Sequence, residues 1–466
     1  MMKRICSCVL ALGWLSSFTA ALPADEPAET PAKVSYHRDV RPIFQEHCHG
    51  CHQPAKQGGD YVMTSFEQLV KGGESEAAAI VPGHPEKSYL MDQIKRSGDE
   101  AAMPKDNPPL LQDQIDLIAR WIKEGAENDQ PMSTQARYDM DHPPEYKAMP
   151  VVTSLDFSPA GDLLAVSGYH EVVLHHADGS GIAARLVGLS ERIESAVFSP
   201  DGKRLAVTGG SPGRMGEVQI WDVEAKQLVV SLTVGYDTIY GASWSPDGTL
   251  VGFGCPDNTI RAIKADSGEQ VLFNGAHDDW VLDTVFSVKG DHLISVSRDQ
   301  SMKLINVPTQ RFIDNVTSIT PGALKGGLAS VDRHPSKEEV LCGGADGVPK
   351  IYRIFREQAR KIGDDFNLIR AFPAMPGRIF SVAFSRDGER IVAGSSLNNS
   401  GQVAVFNTAD GKQISKFDVT DGGIYAVAFS PDAKIVAAAG FSGTVTLLNA
   451  ETGEAIKQFT PAPLAP

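Results

Sequence analysis

The sequence predicts a multidomain chain: a small all-α domain followed by an all-β propeller of seven blades. Three observations carry this expectation. From about residue 34 to 128, apolar residues recur at helical spacing. From residue 151 to 466, one strand–turn–strand pattern is written seven times. Between them, residues 129–150 follow neither period and hold Pro131, Pro143, Pro144 and Pro150, as an interdomain linker would. A chain of 466 residues also exceeds what one hydrophobic core usually serves.

The N-terminus reads as an export leader. Lys3 and Arg4 precede the apolar run "ICSCVLALGWLSSF" and the small residues "TAALPA". Cleavage after Ala21 or Ala24 makes 1–24 a signal peptide; retained, the same run is just long enough to anchor the chain. The expected location is therefore periplasmic or otherwise exported, with no membrane span left in the mature chain once the leader is removed. Residues 25–33 are a Pro- and Ala-rich flexible lead-in.

Within 34–128, "YHRDVRPIFQEHC" puts Val40, Ile43, Phe44 and His47 on one helical face. "HPEKSYLMDQIKRSG" does so with Tyr89, Leu90 and Ile94; Pro85 lies near its first turn and Gly98 after its end. "QDQIDLIARWIKEGAE" aligns Ile115, Ile118, Ala119 and Ile122, with Trp121 at the edge of the stripe and Gly125 as the stop.

Each repeat after residue 151 is an alternating strand, a turn and a second strand, as in "IESAVFSPDGKRLAVTGG" and "IFSVAFSRDGERIVAGS". Asp201-Gly202, Asp247-Gly248 and Asp387-Gly388 are explicit hairpin turns. The markers Phe157, Phe198, Trp244, Phe286, Arg333, Phe384 and Phe429 stand 41 to 51 residues apart, room for four strands per unit. The fifth repeat lacks an aromatic at Arg333. Val, Ala and Gly of the first strands are expected to line the central channel. Connections at 209–217, 307–327 and 355–376 interrupt the repeat and are expected to project as binding surface; the third holds "REQARKIGDD", otherwise a solvated loop. The region resembles WD-repeat propellers. Trp221-Asp222 is the literal WD pair, and "GAHDDW" with Ser295 and Asp299 resembles the family's His, Ser and Asp network, with Ile305 in place of its Trp.

The hexapeptide "HCHGCH" at 47–52 carries the chemistry. Zinc would need partners, but Cys255 and Cys342 stand alone beside apolar strands, as small buried residues do. A redox dithiol would need a βαβ setting. Two cysteines separated by two residues, followed by histidine in an exported, helix-flanked segment, fit one covalently attached haem c. Cys48 and Cys51 would hold its vinyl carbons and His52 its iron. Met63, His84, Met91 and Met103 are the candidates for the sixth ligand. Met103 is preferred because it lies in the irregular loop "EAAMPKDNPPL". "DVRPIFQEHCHGCHQP", "IVPGHPEKSYLMDQI", "MPKDNPPL" and "IDLIARWIKEGAE" also resemble the c-type cytochrome domains of exported planctomycete proteins. That resemblance implies the same roles for Cys48, Cys51, His52 and Met103. The family's Met-Pro-Pro loop reads Met-Pro-Lys here.

The formal net charge of −15 is shared: 10 Lys/Arg face 15 Asp/Glu in 34–128, and 28 face 36 in 151–466. Such acidity excludes an electrostatic grip on nucleic acid. The expected function is electron transfer by an exported mono-haem c-type cytochrome, with a redox partner protein and the propeller as a docking scaffold. The alternatives are a propeller-containing haem oxidoreductase of the cytochrome-cd type and a haem-based gas sensor. The former uses eight blades and a second haem, and no second C-x-x-C-H occurs here. An electron carrier rather than a catalyst is expected, since no nucleophile, phosphate-loop or paired-carboxylate motif is present.

Overall fold

The computed structural model describes residues 33–49, 51–53, 56–63, 66–75, 77–98, 100–105, 107–129, 138–320 and 325–465. The expected signal peptide, most of the lead-in and the first half of the linker lie outside the described residues. Among those described, no helix is long and apolar enough to cross a membrane.

Four short α-helices, α1 (Arg41–His47), α2 (Phe66–Lys71), α3 (Tyr89–Ile94) and α4 (Gln112–Lys123), surround one apolar cluster. Val40, Phe44, Ile94, Ile118 and Ile122 all lie inside it. Trp121 does too, at its centre rather than at the edge of the α4 stripe. It follows Ile118 by three residues, so both face inward. Its indole donates to the Glu127 carbonyl at 3.0 Å, and its ring stacks on Tyr36 at 5.2 Å. That bond lets an indole be buried without an orphaned donor. Tyr89, by contrast, is 38% exposed; Leu90 and Ile94, one turn apart, supply the buried face of α3. Gly125 closes α4 in the left-handed region, φ +109°.

The rest is almost wholly β-sheet, as in a WD-type propeller. Five sheets have four strands, each in sequential antiparallel order, and one has seven. The seven-stranded sheet is continuous because Ile182–Phe198 is one long strand. Its first part pairs with Tyr169–His176 and its last part with Arg204–Ser211. The last sheet meets the first: Leu155 and Phe157 pack with Ala426 and Ala428, and the Val152 N–H donates to the Gly440 carbonyl at 3.0 Å.

The recurring turn has a recurring cause. In "SPDG", the Ser199 hydroxyl donates to Asp201 Oδ1 at 2.6 Å and accepts the Arg204 N–H at 2.9 Å. Gly202 then takes φ +73°. Ser245/Asp247 and Ser385/Asp387 repeat the bond. Arg333, in the aromatic slot of the fifth repeat, reaches back to the Ser287 carbonyl of the preceding sheet at 3.2 Å. Trp244 makes the equivalent reach to Val197 O at 2.9 Å, so the guanidinium replaces an indole bond rather than leaving a gap.

Two expectations are corrected. Residues 209–217 are not a loose connection: Arg204–Ser211 and Met215–Asp222 pair in register out to Ser211 and Met215, making one long hairpin. The second half of the linker is stapled to the propeller. Tyr146 is buried and its hydroxyl donates to Glu171 Oε1 at 2.7 Å, while Arg185 holds Pro144 O at 2.7 Å.

Candidate functional site

α1 delivers the hexapeptide. The helical bonding continues past His47: Cys48 N–H donates to Phe44 O at 2.9 Å, and His52 N–H to Cys48 O at 3.0 Å. Cys48, Cys51 and His52 therefore ride on one turn. Cys48 is half-buried against the helical core and Cys51 is exposed. Burial, aided by the nearby Cys51, pushes the Cys48 thiol up to about 12. A thiol held neutral is a poor redox nucleophile. His52 Nδ1 faces the Tyr61 carbonyl at 3.3 Å. In the tautomer protonated there, Nε2 keeps its lone pair for a metal, the usual second-shell arrangement of a ligating imidazole. Gly58 packs beside the ring, where a Cβ would stand 3.4 Å from His52 Cε1.

Met103 is half-buried against the same cluster as Cys48 and Met91, and its N–H is fixed to Gln93 O at 2.9 Å. Met63 is buried in that cluster. His84 is on the surface, 2.9 Å from Glu86, and is removed from the candidate ligands. The donor types suit a c-type haem: Cys48 and Cys51 would carry the thioether links, and His52 with Met103 or Met91 would be the residues to hold the iron. No group of three or more His, Cys, Asp or Glu among the described residues stands together as a metal site.

His49, between the two cysteines, turns the other way. It is 4% exposed and packs against the propeller's Tyr236, ring centroids 5.2 Å apart. Burial, then the charge on Arg41, pushes it down to about 4.

In the propeller, His277 is buried. Its Nδ1 lies 2.7 Å from Asp299 Oδ2 and its Nε2 2.8 Å from Ser295 Oγ. Burial alone would raise Asp299, but the bond to His277 and its charge hold the carboxyl far below its ordinary value. Ile305 is buried in the neighbouring core. This triad ties the loop before strand Val281–Phe286 to strand His292–Ser297 and to the turn that follows it. Cys255 and Cys342 are buried, as their surroundings predict.

The central cavity has a volume of about 810 Å³. Its wall is not the Val, Ala and Gly expected from the first strands alone: Asp156, Glu194, Asp283, Asp332, Arg192 and Arg378 also line it. The aspartates sit there because each accepts a backbone N–H from a later repeat. Asp156 takes Phe198 at 2.7 Å, Asp283 takes Val331 at 2.9 Å, and Asp332 takes Phe384 at 2.7 Å.

The other two insertions are built together. Arg360 donates to Asp314 Oδ1 at 2.8 Å and Asn315 O at 2.6 Å. Arg356 pairs with Asp364 at 3.2 Å. Gly363 N–H donates to Thr320 Oγ1 at 3.0 Å, and Ser318 Oγ to Asp364 O at 2.8 Å. "REQARKIGDD" is thus a solvent-exposed loop tied at several points by its own bonds. Ile319 is 58% exposed, and Ile362, one residue from the Gly363–Thr320 bond, is fully exposed.

A family model described as "Planctomycete cytochrome C" matches residues 48–107, and "WD domain, G-beta repeat" matches 268–306 and 411–449. The curated relatives are WD-repeat proteins. The chain is 27% identical over 206 residues to eukaryotic translation initiation factor 3 subunit I of Emericella nidulans, covering 41% of this chain and 59% of that protein. It is 24% identical over 300 residues to the WD repeat-containing protein 26 homolog of Arabidopsis thaliana, 63% of this chain and 47% of that one. It is 27% identical over 224 residues to coronin-7 of Mus musculus, 45% of this chain and 23% of that one. The chain spans about half the length, or less, of these relatives. They overturn the expected function. What they share with this chain is WD-repeat text, which points to a WD-type scaffold rather than to a haem electron carrier.

Sequence reasoning missed Arg41, His49 and Tyr236 as contact residues, and the aspartates of the cavity. His49 was visible inside the hexapeptide, but nothing local says which way it faces.

Proposed function

We propose that the chain is a WD-type docking scaffold: a closed ring of seven blades that binds partner protein, with a haem-bearing helical domain at its N-terminus. The observation that carries the docking reading is the knob of 316–320 and 355–365. Its backbone is fixed by the Arg356, Arg360 and Gly363 bonds while Ile319 and Ile362 stand in water. Fully burying one such side chain is worth roughly 1.5–3 kcal/mol, and a pre-ordered loop has little entropy left to lose on binding.

The blade count is supported by the division of the long strand Ile182–Phe198 between two four-stranded groups and by the contact of the last sheet with the first. Haem, in this reading, would be one group covalently attached at Cys48 and Cys51, with His52 and Met103 the residues that would hold its iron. When bound, it supplies a large apolar disc to a domain whose helices are six to twelve residues long. The leader at 1–24 would place the mature chain outside the cytoplasm.

The test is Ile319→Asp with Ile362→Asp in the full chain. Both side chains are exposed, so the melting temperature should stay within a few degrees of wild type. The partner that co-purifies with wild type from its native extract should be lost. Retention of that partner by the double variant rejects the knob as the docking surface.

A further inference from the structure

We propose that the propeller turn Val234–Ile239 is a seat for the Cys48–His52 turn, with Tyr236 as the positioning residue. The seat orders the segment to which haem attaches. The link to haem rests on the cofactor reading above; the seat itself does not.

Two buried polar side chains cross from the helical domain. Arg41, the first residue of α1, is 5% exposed and donates from Nη2 to the Tyr236 carbonyl at 3.0 Å, across 195 positions of sequence. His49 lies against the Tyr236 ring, and neither of its nitrogens has a well-formed hydrogen bond. Burying a guanidinium with one carbonyl acceptor and an imidazole with no well-formed hydrogen bond is costly, even with Asp237 near the guanidinium. The pair is therefore poorly explained by stability alone, and better by a need to hold this segment in one place.

The seat is tied to the propeller by bonds of its own. Asp237 Oδ1 accepts the Gly213 N–H at 3.0 Å and the Thr238 N–H at 2.8 Å. Val234 N–H donates to Gly216 O at 2.8 Å, and Ile239 N–H to Gly209 O at 3.0 Å. Apart from Thr238, these partners belong to the long 204–222 hairpin, whose end at 209–217 extends the repeat. Its glycines permit the approach: a Cβ on Gly216 would collide with the carbonyls of Val234 and Asp237, and one on Gly210 would stand 3.0 Å from Thr238 Cα. The hairpin thus has a structural task, to carry the turn that meets α1.

The same short turn presents Cys48 and His52 to the helical core and His49 to the propeller. Anything that orders it from one side must favour its contact on the other, because linkage is reciprocal. Haem attachment and domain docking should strengthen each other.

The experiment is hydrogen–deuterium exchange on the full chain, with intact mass reporting covalent haem separately. Tyr236→Ala should speed exchange at 41–53 about tenfold or more, while strands 277–299 stay protected. Arg41→Ala should speed exchange at 234–241 and carries the test if Tyr236→Ala does not fold. Cys48→Ala with Cys51→Ala should also loosen 234–241. Unchanged exchange at 41–53 in Tyr236→Ala, or at 234–241 in Arg41→Ala, overturns the seat. Wild-type mass without haem would reject the cofactor reading and the linkage, but the first two variants would still judge the seat. Haem present with 234–241 indifferent to the cysteine pair would reject the linkage alone.

Discussion

Asp156 should make the propeller less stable as the medium turns alkaline. It is half-buried on the innermost strand of the first repeat, facing the central cavity, and accepts the Phe198 N–H at 2.7 Å. Burial pushes its carboxyl up from 3.8 to about 7, partly offset by that bond and reinforced by the nearby Asp332. Asp283 is raised to about 7 for the same leading reason. The folded state therefore holds the proton more tightly than the unfolded chain. The contribution is complete below about pH 4 and is lost as pH rises through about 7. A shift of about three units corresponds to a ceiling of about 4 kcal/mol per group. Asp156→Asn keeps an acceptor for Phe198 and removes the charge. At pH 8 it should be more stable than wild type by up to about 4 kcal/mol, less what water in the cavity screens; at pH 5, little more than one unit above the unfolded value, the gain should shrink to at most about 1.5 kcal/mol, less the cost of placing its NH₂. Urea unfolding followed by far-UV circular dichroism, which the propeller's strands dominate, at both pH values gives the double difference. A variant weaker than wild type by the same amount at pH 5 and pH 8 would refute the reasoning.

Acidified acetone should leave the pigment on the protein if Cys48 and Cys51 hold haem through thioether bonds; Met103→Ala should then open the iron to carbon monoxide, and an unchanged spectrum would turn attention to Met91. Ala433 occupies the glycine position of a repeat turn at φ +56°, where an L-residue is strained by about 1–2 kcal/mol. Ala433→Gly should raise stability by about 0.5–1 kcal/mol after glycine's entropy is counted, a gain of a few degrees in thermal unfolding.

What was legible in the sequence was local. The Ser–Pro–Asp–Gly turns, the alternation of Ala426 to Phe429 and the helical placement of Cys48 and Cys51 all follow from neighbours within five residues. Trp121 was misjudged because a stripe drawn from its isoleucines hides an indole that finds a carbonyl six residues on. Asp156 between Leu155 and Phe157 looks like an interruption of an apolar strand; only the next repeat's N–H explains it. The Arg41–Tyr236 bond joins two domains across a linker, and no spacing rule spans that gap. The hairpin at 209–217 looked like a loop because its glycines, which serve close approach, are also loop residues. Function misled for a related reason: a compact motif of six residues outweighed a diffuse repeat over most of the chain.

Docking at the knob is the central claim, and site-specific crosslinking tests it most directly. A photoreactive p-benzoylphenylalanine at Ile362, and another at the exposed Lys434 on a repeat turn, would be irradiated in the native host. The account predicts a discrete covalent adduct with another protein from position 362 and none from 434. Equal adducts at both positions, or none at 362, would contradict it.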